Sequence, residues 1–256
     1  MYLYDPEEFS FLESLKVSWR DVLEEYRALG ERRLHPWPEG HLFRQKDELG
    51  VGWDVFGLWA FGKKNVEGCE ACPFTAELVE AFPEDRAPCT VAFSRLRPGA
   101  HILPHSGYLG YSSKVLRAHL GLEIPEESVP RGSRTEELES RLAGPGSWYS
   151  RSVWHWKDTD ALAYSGCCLR VGPLCSLWAP GEMLVFDDSH VHEAWNMTES
   201  TRVVLLLDFK RPPEYLTDLE LVSKLQAEAD AIDPMKDGNR GETYLDRLTD
   251  SWGYKK

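Results

Sequence analysis

The chain has 256 residues, 42% of them hydrophobic, enough to bury a sizeable core in one large domain or two small ones. Its formal charge of −13 argues against non-specific nucleic-acid binding and against docking onto anionic lipid, since both need basic surface. Six Cys in a chain this long do not make a disulfide framework, Met1 to Pro6 lacks a signal-peptide pattern, and the apolar run 203–207 is far short of the roughly 20 residues that span a bilayer, so a soluble, cytoplasmic protein with reduced thiols is expected.

Residues 7–29 carry Phe9, Leu12, Leu15, Trp19, Val22, Leu23, Tyr26 and Leu29 at three- and four-residue steps, predicting an amphipathic helix stopped by Gly30. The aromatic-rich stretch that follows is broken by Pro36, Pro38, Gly40, Gly50 and Gly52, and 53–61 reads as a strand. Pro73 opens a short helix that ends before Pro83. From 89 onward the pattern becomes short strands between Pro/Gly turns: 89–97, 101–105, 115–124, 167–171, 176–178, 183–186 and 202–209. The polar stretch 126–165, with its charged run 135–141, reads as an insertion between strands, partly helical. Beyond Pro212-Pro213 the chain turns helical again, to about residue 230. Short strands flanked by helices predict a mainly β jelly roll or sandwich with helical buttresses: 1–50 before the core, 51–210 as the core, 211–256 after it, all one domain.

The chemistry concentrates in this core. Arg117 and His119 lie two apart on a predicted strand and so share one face, while Leu116, Ala118, Leu120 and Leu122 share the other. The polar face is either solvent or the wall of an internal cavity, and the apolar flanks favour the cavity. Arg202 opens a strand whose remainder is continuously apolar; a charge there requires an anionic partner, and a guanidinium suits a carboxylate. His105, in Pro-His-Ser-Gly, and His192, in Phe-Asp-Asp-Ser-x-x-His, are candidates to share one metal, with imidazole suiting iron, zinc or copper. A 2-His-1-carboxylate site would place Asp or Glu two residues after the first His, where this chain has Gly107.

From Trp53 to Phe209 the chain resembles the aspartyl/asparaginyl β-hydroxylase family. The matching pieces run in the family's order: Gly-Trp-Asp (52–54), Leu-Trp (58–59), Phe-Pro-Glu (82–84), Ser94 before Arg-Pro-Gly (97–99), Pro-His-Ser-Gly (104–107), Leu-Arg-Ala-His-Leu-Gly-Leu (116–122), Gly-Glu-Met-Leu-Val-Phe-Asp-Asp-Ser (181–189), His192-Glu193 and Arg202. The resemblance implies a double-stranded β-helix of the jelly-roll or cupin kind, with Fe(II), 2-oxoglutarate and dioxygen used to hydroxylate an unactivated C–H. In that family Gly stands where other iron sites have the carboxylate. The resemblance further implies His105 and His192 as catalytic iron ligands, and Arg202 and Ser94 on the distal carboxylate of 2-oxoglutarate. It implies His119 on the proximal one, Arg117 on that group or a substrate carboxylate, and Trp53 at the cofactor pocket. The substrate it implies is a peptide or small molecule carrying Asp, Asn or another carboxylate, hydroxylated at the β-carbon, with no nucleic acid and no membrane involved. An acyl chain is the alternative substrate, and a metabolite-binding jelly roll without turnover is the alternative function.

Other residues carry weaker signals. Cys69-Glu70-Ala71-Cys72 stands without a second pair, so structural zinc is not expected, leaving a loop disulfide or two free thiols. Asp187 and Asp188 are read as an Asp-Asp-Ser turn ending a strand rather than as ligands. His190 is set aside because the family register selects His192, and Trp154-His155-Trp156 reads as either a hydrophobic anchor or part of a lid, with the lid favoured.

Overall fold

A computed structural model describes residues 2–30, 33–37, 52–107, 109–126, 153–155 and 166–215. Its strands are β1 (Leu3–Tyr4), β2 (His35–Pro36), β3 (Trp53–Ala60), β4 (Lys63–Lys64), β5 (Pro88–Leu96), β6 (Ala100–His105), β7 (Val115–Glu123), β8 (Val153–His155), β9 (Gly166–Val171), β10 (Leu174–Leu177), β11 (Met183–Phe186), β12 (His192–Met197) and β13 (Arg202–Lys210). The helices are α1 (Glu13–Val17), α2 (Trp19–Leu29), α3 (Val66–Ala71), α4 (Pro73–Glu80) and α5 (Leu109–Ser112). Among the described residues no helix is long and apolar enough to cross a membrane.

The strands form two antiparallel sheets. The larger runs β1-β11-β7-β13-β5-β3-β2, with β4 beside β3, and the smaller runs β6-β12-β9-β10-β8. Eight of these strands make the double-stranded β-helix: β5, β7, β11 and β13 lie in the large sheet, and β6, β9, β10 and β12 in the small one. The fold expected from the sequence is therefore the fold observed.

Two cores flank the large sheet. Between the sheets lie Leu3, Trp53, Val55, Ala92, Leu96, Ile102, Leu169, Val171, Trp178, Phe186 and Val204. On the outer face, Leu12, Leu15, Val22, Leu23 and Tyr26 of the N-terminal helices meet Phe93, Leu116, Ala118, Leu120, Leu122, Leu205 and Leu207. Burial on both faces explains why 203–207 is continuously apolar rather than alternating.

Several elements differ from their expected form. The predicted helix 7–29 begins as two 3-10 turns, with Asp5 capping the first, and breaks at Ser18 between α1 and α2; Gly30 ends it at φ 68°, as expected. Its apolar face continues across the break, so periodicity alone could not place it. Before this helix, β1 adds a strand to the large sheet, pairing Leu3 with Phe186, so the N-terminal segment is more than a buttress. Helix α3 went unread although Asn65 caps it, accepting from the Gly68 amide at 3.1 Å. Cys69 and Cys72 there are buried and free, their thiols pushed up by burial to about 11 and about 12. Within the insertion, 153–155 pairs with β10; its helical reading, the side chains of Trp154 and His155, and Trp156 lie outside the described residues, as does the helix expected beyond 215.

One backbone contact positions the interior. The turn after β10 docks on β7 through Gly121: its amide donates to the Glu182 carbonyl at 3.0 Å, and the Gly181 amide donates to the Gly121 carbonyl at 2.8 Å. A Cβ at position 121 would lie 2.1 Å from the Ala179 carbonyl oxygen, backbone that cannot swing aside. Gly121→Ala is expected to lower stability by about 1–3 kcal/mol, the usual cost of overpacking. Urea denaturation checks this, and an unchanged midpoint would show that the turn yields freely.

Candidate active site

Strands β6 and β12 pair so that His105 stands opposite His192, with a bulge just beyond the pair. Their ring centroids are 4.3 Å apart and tilted by 54°. His105 Nδ1 lies 2.7 Å from the Leu103 carbonyl, and His192 Nδ1 lies 2.8 Å from the His190 carbonyl. A carbonyl only accepts, so both Nδ1 atoms carry the proton and both Nε2 atoms present a lone pair. Burial lowers both pKa values, that of His105 to about 3, so both rings are neutral at pH 7. Neutral imidazoles that carry the proton on Nδ1 have the donor set a metal needs on Nε2.

The space beside Gly107 is taken by a carboxylate from the turn after β11. A Cβ on Gly107 would lie 1.8 Å from Asp188 Oδ2 and 2.1 Å from Ser112 Oγ, so the space is already filled. Asp188 Oδ2 accepts from the Ser112 hydroxyl at 2.7 Å, and its Oδ1 lies 3.3 Å from His192 Nε2. Two acceptors facing each other at that distance call for a cation between or beside them. Burial raises the Asp188 pKa, but Arg117, His192 and Ser112 outweigh it and hold the carboxyl below its usual range. The Asp-Asp-Ser turn expected at the end of β11 is present: Asp187 Oδ1 accepts from the Ser189 amide at 3.0 Å and hydroxyl at 2.6 Å, and Arg211 grips it from the side. Asp188 instead faces inward, a placement that the Asp-Asp-Ser pattern does not reveal.

A second cluster lies along the large sheet. Arg202 is 1% exposed; its Nη1 donates to the Ser94 carbonyl at 3.1 Å and hydroxyl at 3.4 Å, and the indole N–H of Trp53 donates to the same hydroxyl at 3.1 Å. Its Nε has no partner, and the Trp178 ring lies 4.6 Å beneath the guanidinium. Burial pulls the Arg202 pKa down to about 10, opposed only by the Cys167 thiol, so no acidic side chain among the described residues neutralises it. His119, one strand away, accepts at Nδ1 from Trp178 at 3.2 Å, and its buried Nε2 is without a partner. Burial and Arg202 hold His119 neutral. An unpaired buried guanidinium and an unpaired imidazole N–H fit a ligand with two anionic ends.

The structure thus brings Ser94, Trp53, Arg202 and His119 together, and places His105 and His192 against each other. Arg117 points into the same interior, but its Nε and Nη2 bind Asp208 at 2.6 and 2.9 Å, and its Nη1 pairs with Asp188. Burial works against its charge, and these two carboxylates more than restore it. Sequence reasoning missed Asp188, Asp208 and Trp178. Only the alternation of Asp208 with Arg202 on one strand could have hinted at the second.

A family profile described as Aspartyl/Asparaginyl beta-hydroxylase matches residues 16–160 and 158–212. The human aspartyl/asparaginyl beta-hydroxylase is 28% identical over 216 residues, covering 82% of this chain and 22% of the human one. An ornithine lipid ester-linked acyl 2-hydroxylase of Rhizobium tropici is 34% identical over 161 residues, covering 62% of this chain and 42% of that protein. The chain therefore spans less than half the length of these relatives. A prolyl-4-hydroxylase from Pseudomonas putida aligns at 17% identity and TM-score 0.42, covering 77% of this chain and 88% of that one. With the profile laid over most of the chain and across both histidines, the chain belongs to the aspartyl/asparaginyl β-hydroxylase family.

Proposed function

We propose that the protein is an Fe(II)- and 2-oxoglutarate-dependent dioxygenase that hydroxylates an unactivated C–H, with the β-carbon of Asp or Asn in a peptide or small molecule as substrate. The observation that carries this reading is the in-register pair of neutral histidines, each with its Nδ1 proton turned to a backbone carbonyl, in the same interior as a buried guanidinium with no acidic partner among the described residues. His105 and His192 would hold iron through Nε2. Arg202 and Ser94 would take the distal carboxylate of 2-oxoglutarate, with Trp53 fixing the Ser94 hydroxyl, and His119 would donate from Nε2 to the proximal carboxylate. Arg117, expected from the resemblance to contact a carboxylate of cosubstrate or substrate, already carries those of Asp208 and Asp188, and its role here is to hold Asp188 in place. Asp188 can accept a hydrogen bond from water or substrate at a metal position the protein leaves open. When bound, iron and 2-oxoglutarate supply the oxidation, dioxygen ending as one oxygen in succinate, released with carbon dioxide, and one in the hydroxylated product.

An acyl chain is the second reading, favoured by the Rhizobium relative and by Arg117, whose internal carboxylates leave it little to offer a substrate acid.

Anaerobic Fe(II) with 2-oxoglutarate should give a weak visible charge-transfer band, absent in His105→Ala and His192→Ala; no band from the wild-type protein would sink the proposal. Arg202→Ala should weaken 2-oxoglutarate binding by about a hundredfold, the scale of a lost charged hydrogen-bond pair, while leaving iron affinity nearly unchanged. Equal loss of both would mean that Arg202 only supports the fold. Gly107→Asp should not create a third ligand, because the new side chain meets Asp188 and Ser112; weaker iron binding is expected, and tighter binding would contradict the packing. Succinate release stimulated by Asp- or Asn-containing peptides, free amino acids or acylated lipids separates the two substrate readings.

A further inference from the structure

We propose that Trp178 is a positioning residue for the cosubstrate, setting the tautomer of His119 and backing the guanidinium of Arg202 with one side chain; the cosubstrate role rests on the function proposed above. Trp178 is 3% exposed and lies at the end of β10, directly before the turn that docks on Gly121. Its indole nitrogen can only donate, and it donates to His119 Nδ1 at 3.2 Å. Nδ1 must then be the lone-pair nitrogen, and the proton of the neutral ring sits on Nε2. That atom is buried and has no protein partner, so it is a donor held ready for an acceptor. With the other tautomer, Nε2 would turn a lone pair toward the carboxylate it is meant to bind.

The face of the same indole does a second task. Arg202 lies 4.6 Å from its centroid, within cation–π range, where no carboxylate is present to hold the guanidinium. One rigid ring therefore touches both groups proposed to grip the two ends of the cosubstrate, and fixes the distance between them. A Trp that served only as core filler would satisfy its N–H on a nearby carbonyl; here the N–H goes to a ring nitrogen whose opposite side is vacant of partners. The backbone supports the arrangement, since His119 and Gly121 are alternate residues of β7 and the close approach at Gly121 delivers Trp178 to His119.

Trp178→Phe keeps an aromatic face and removes the N–H. Nitrogen NMR of the metal-free protein, with His119 assigned by comparison with His119→Gln, should show the Nε2–H tautomer in the wild type and a mixture in Trp178→Phe. Anaerobic titration of the Fe(II) protein should show 2-oxoglutarate affinity falling about tenfold in Trp178→Phe, the scale of one buried hydrogen bond, with iron affinity unchanged. In a His119→Gln background the Trp178→Phe change should add nothing. An unaltered tautomer in Trp178→Phe, or the same loss of affinity with and without His119, overturns the proposal, because filler would act regardless of that partner. If Trp178→Phe does not fold, the wild-type protein decides: an Nδ1–H tautomer overturns the proposal, and an Nε2–H tautomer supports it. Wild-type protein that binds no 2-oxoglutarate overturns the function reading and with it the cosubstrate role, whereas normal wild-type binding with an unchanged variant overturns the role of Trp178 alone.

Discussion

Arg202 holds a full positive charge between two sheets with no acidic side chain beside it among the described residues, and much of the structure follows from accommodating that charge. Leaving a guanidinium dry and unpaired costs several kcal/mol. Its neighbours recover part of this: the Ser94 carbonyl and hydroxyl accept hydrogen bonds, and the Trp178 ring offers its face. None of them carries a formal negative charge, so the positive charge at Arg202 is not balanced locally. The remaining stability comes from elsewhere, chiefly the second core formed by the N-terminal helices on the outside of the large sheet.

The other charged cluster leans the opposite way. One guanidinium, Arg117, faces two buried carboxylates, Asp188 and Asp208, beside two neutral imidazoles. Burial raises the Asp208 carboxyl, partly offset by Arg117 and by the Tyr111 hydroxyl at 3.2 Å, which is itself 2.6 Å from the Thr90 hydroxyl. A local balance that is negative and rich in lone pairs suits a cation. The interior between the sheets is therefore polarised, negative beside His105, His192 and Asp188 and positive at Arg202.

Much of this could be read in the sequence, for identifiable reasons. Strands β5, β7, β11 and β13 announce themselves by branched apolar runs; period-two geometry puts Arg117 and His119 on one face, and the apolar flanks of their strand point that face inward. Strand β12 was not read, because its inward residues are His192, Ala194 and Asn196 while buried Glu193 and Trp195 point to the other face, so the usual apolar-in, polar-out contrast is lost. Glu193 is held there by His101 at 2.7 Å and by Arg170, three residues from three strands that no local pattern connects. Strands β1, β2 and β4 have two residues each, too short for any periodicity. Within the site, every residue that matched a motif lies in the interior, whereas Asp188 and Trp178 were missed because their importance depends on what lies across the sheet from them.

Gly107 shows how the two levels join. Read in sequence it is the absence of a ligand; in space it is what allows Asp188 to reach the histidines, since any side chain at 107 would occupy the carboxylate's place. Asp188, in the turn before the second histidine, is restrained there by Ser112 and Arg117. Gly121 acts in the same way further along β7, yielding its side-chain space so that the turn after Trp178 can close on the strand. Strand β7 therefore runs the length of the polarised interior: Arg117 holds the acid beside the histidines, His119 stands between, and Gly121 admits the indole that backs Arg202. The three residues thus owe their relative positions to one strand, and a one-residue slip of its register would turn all of them out of the interior.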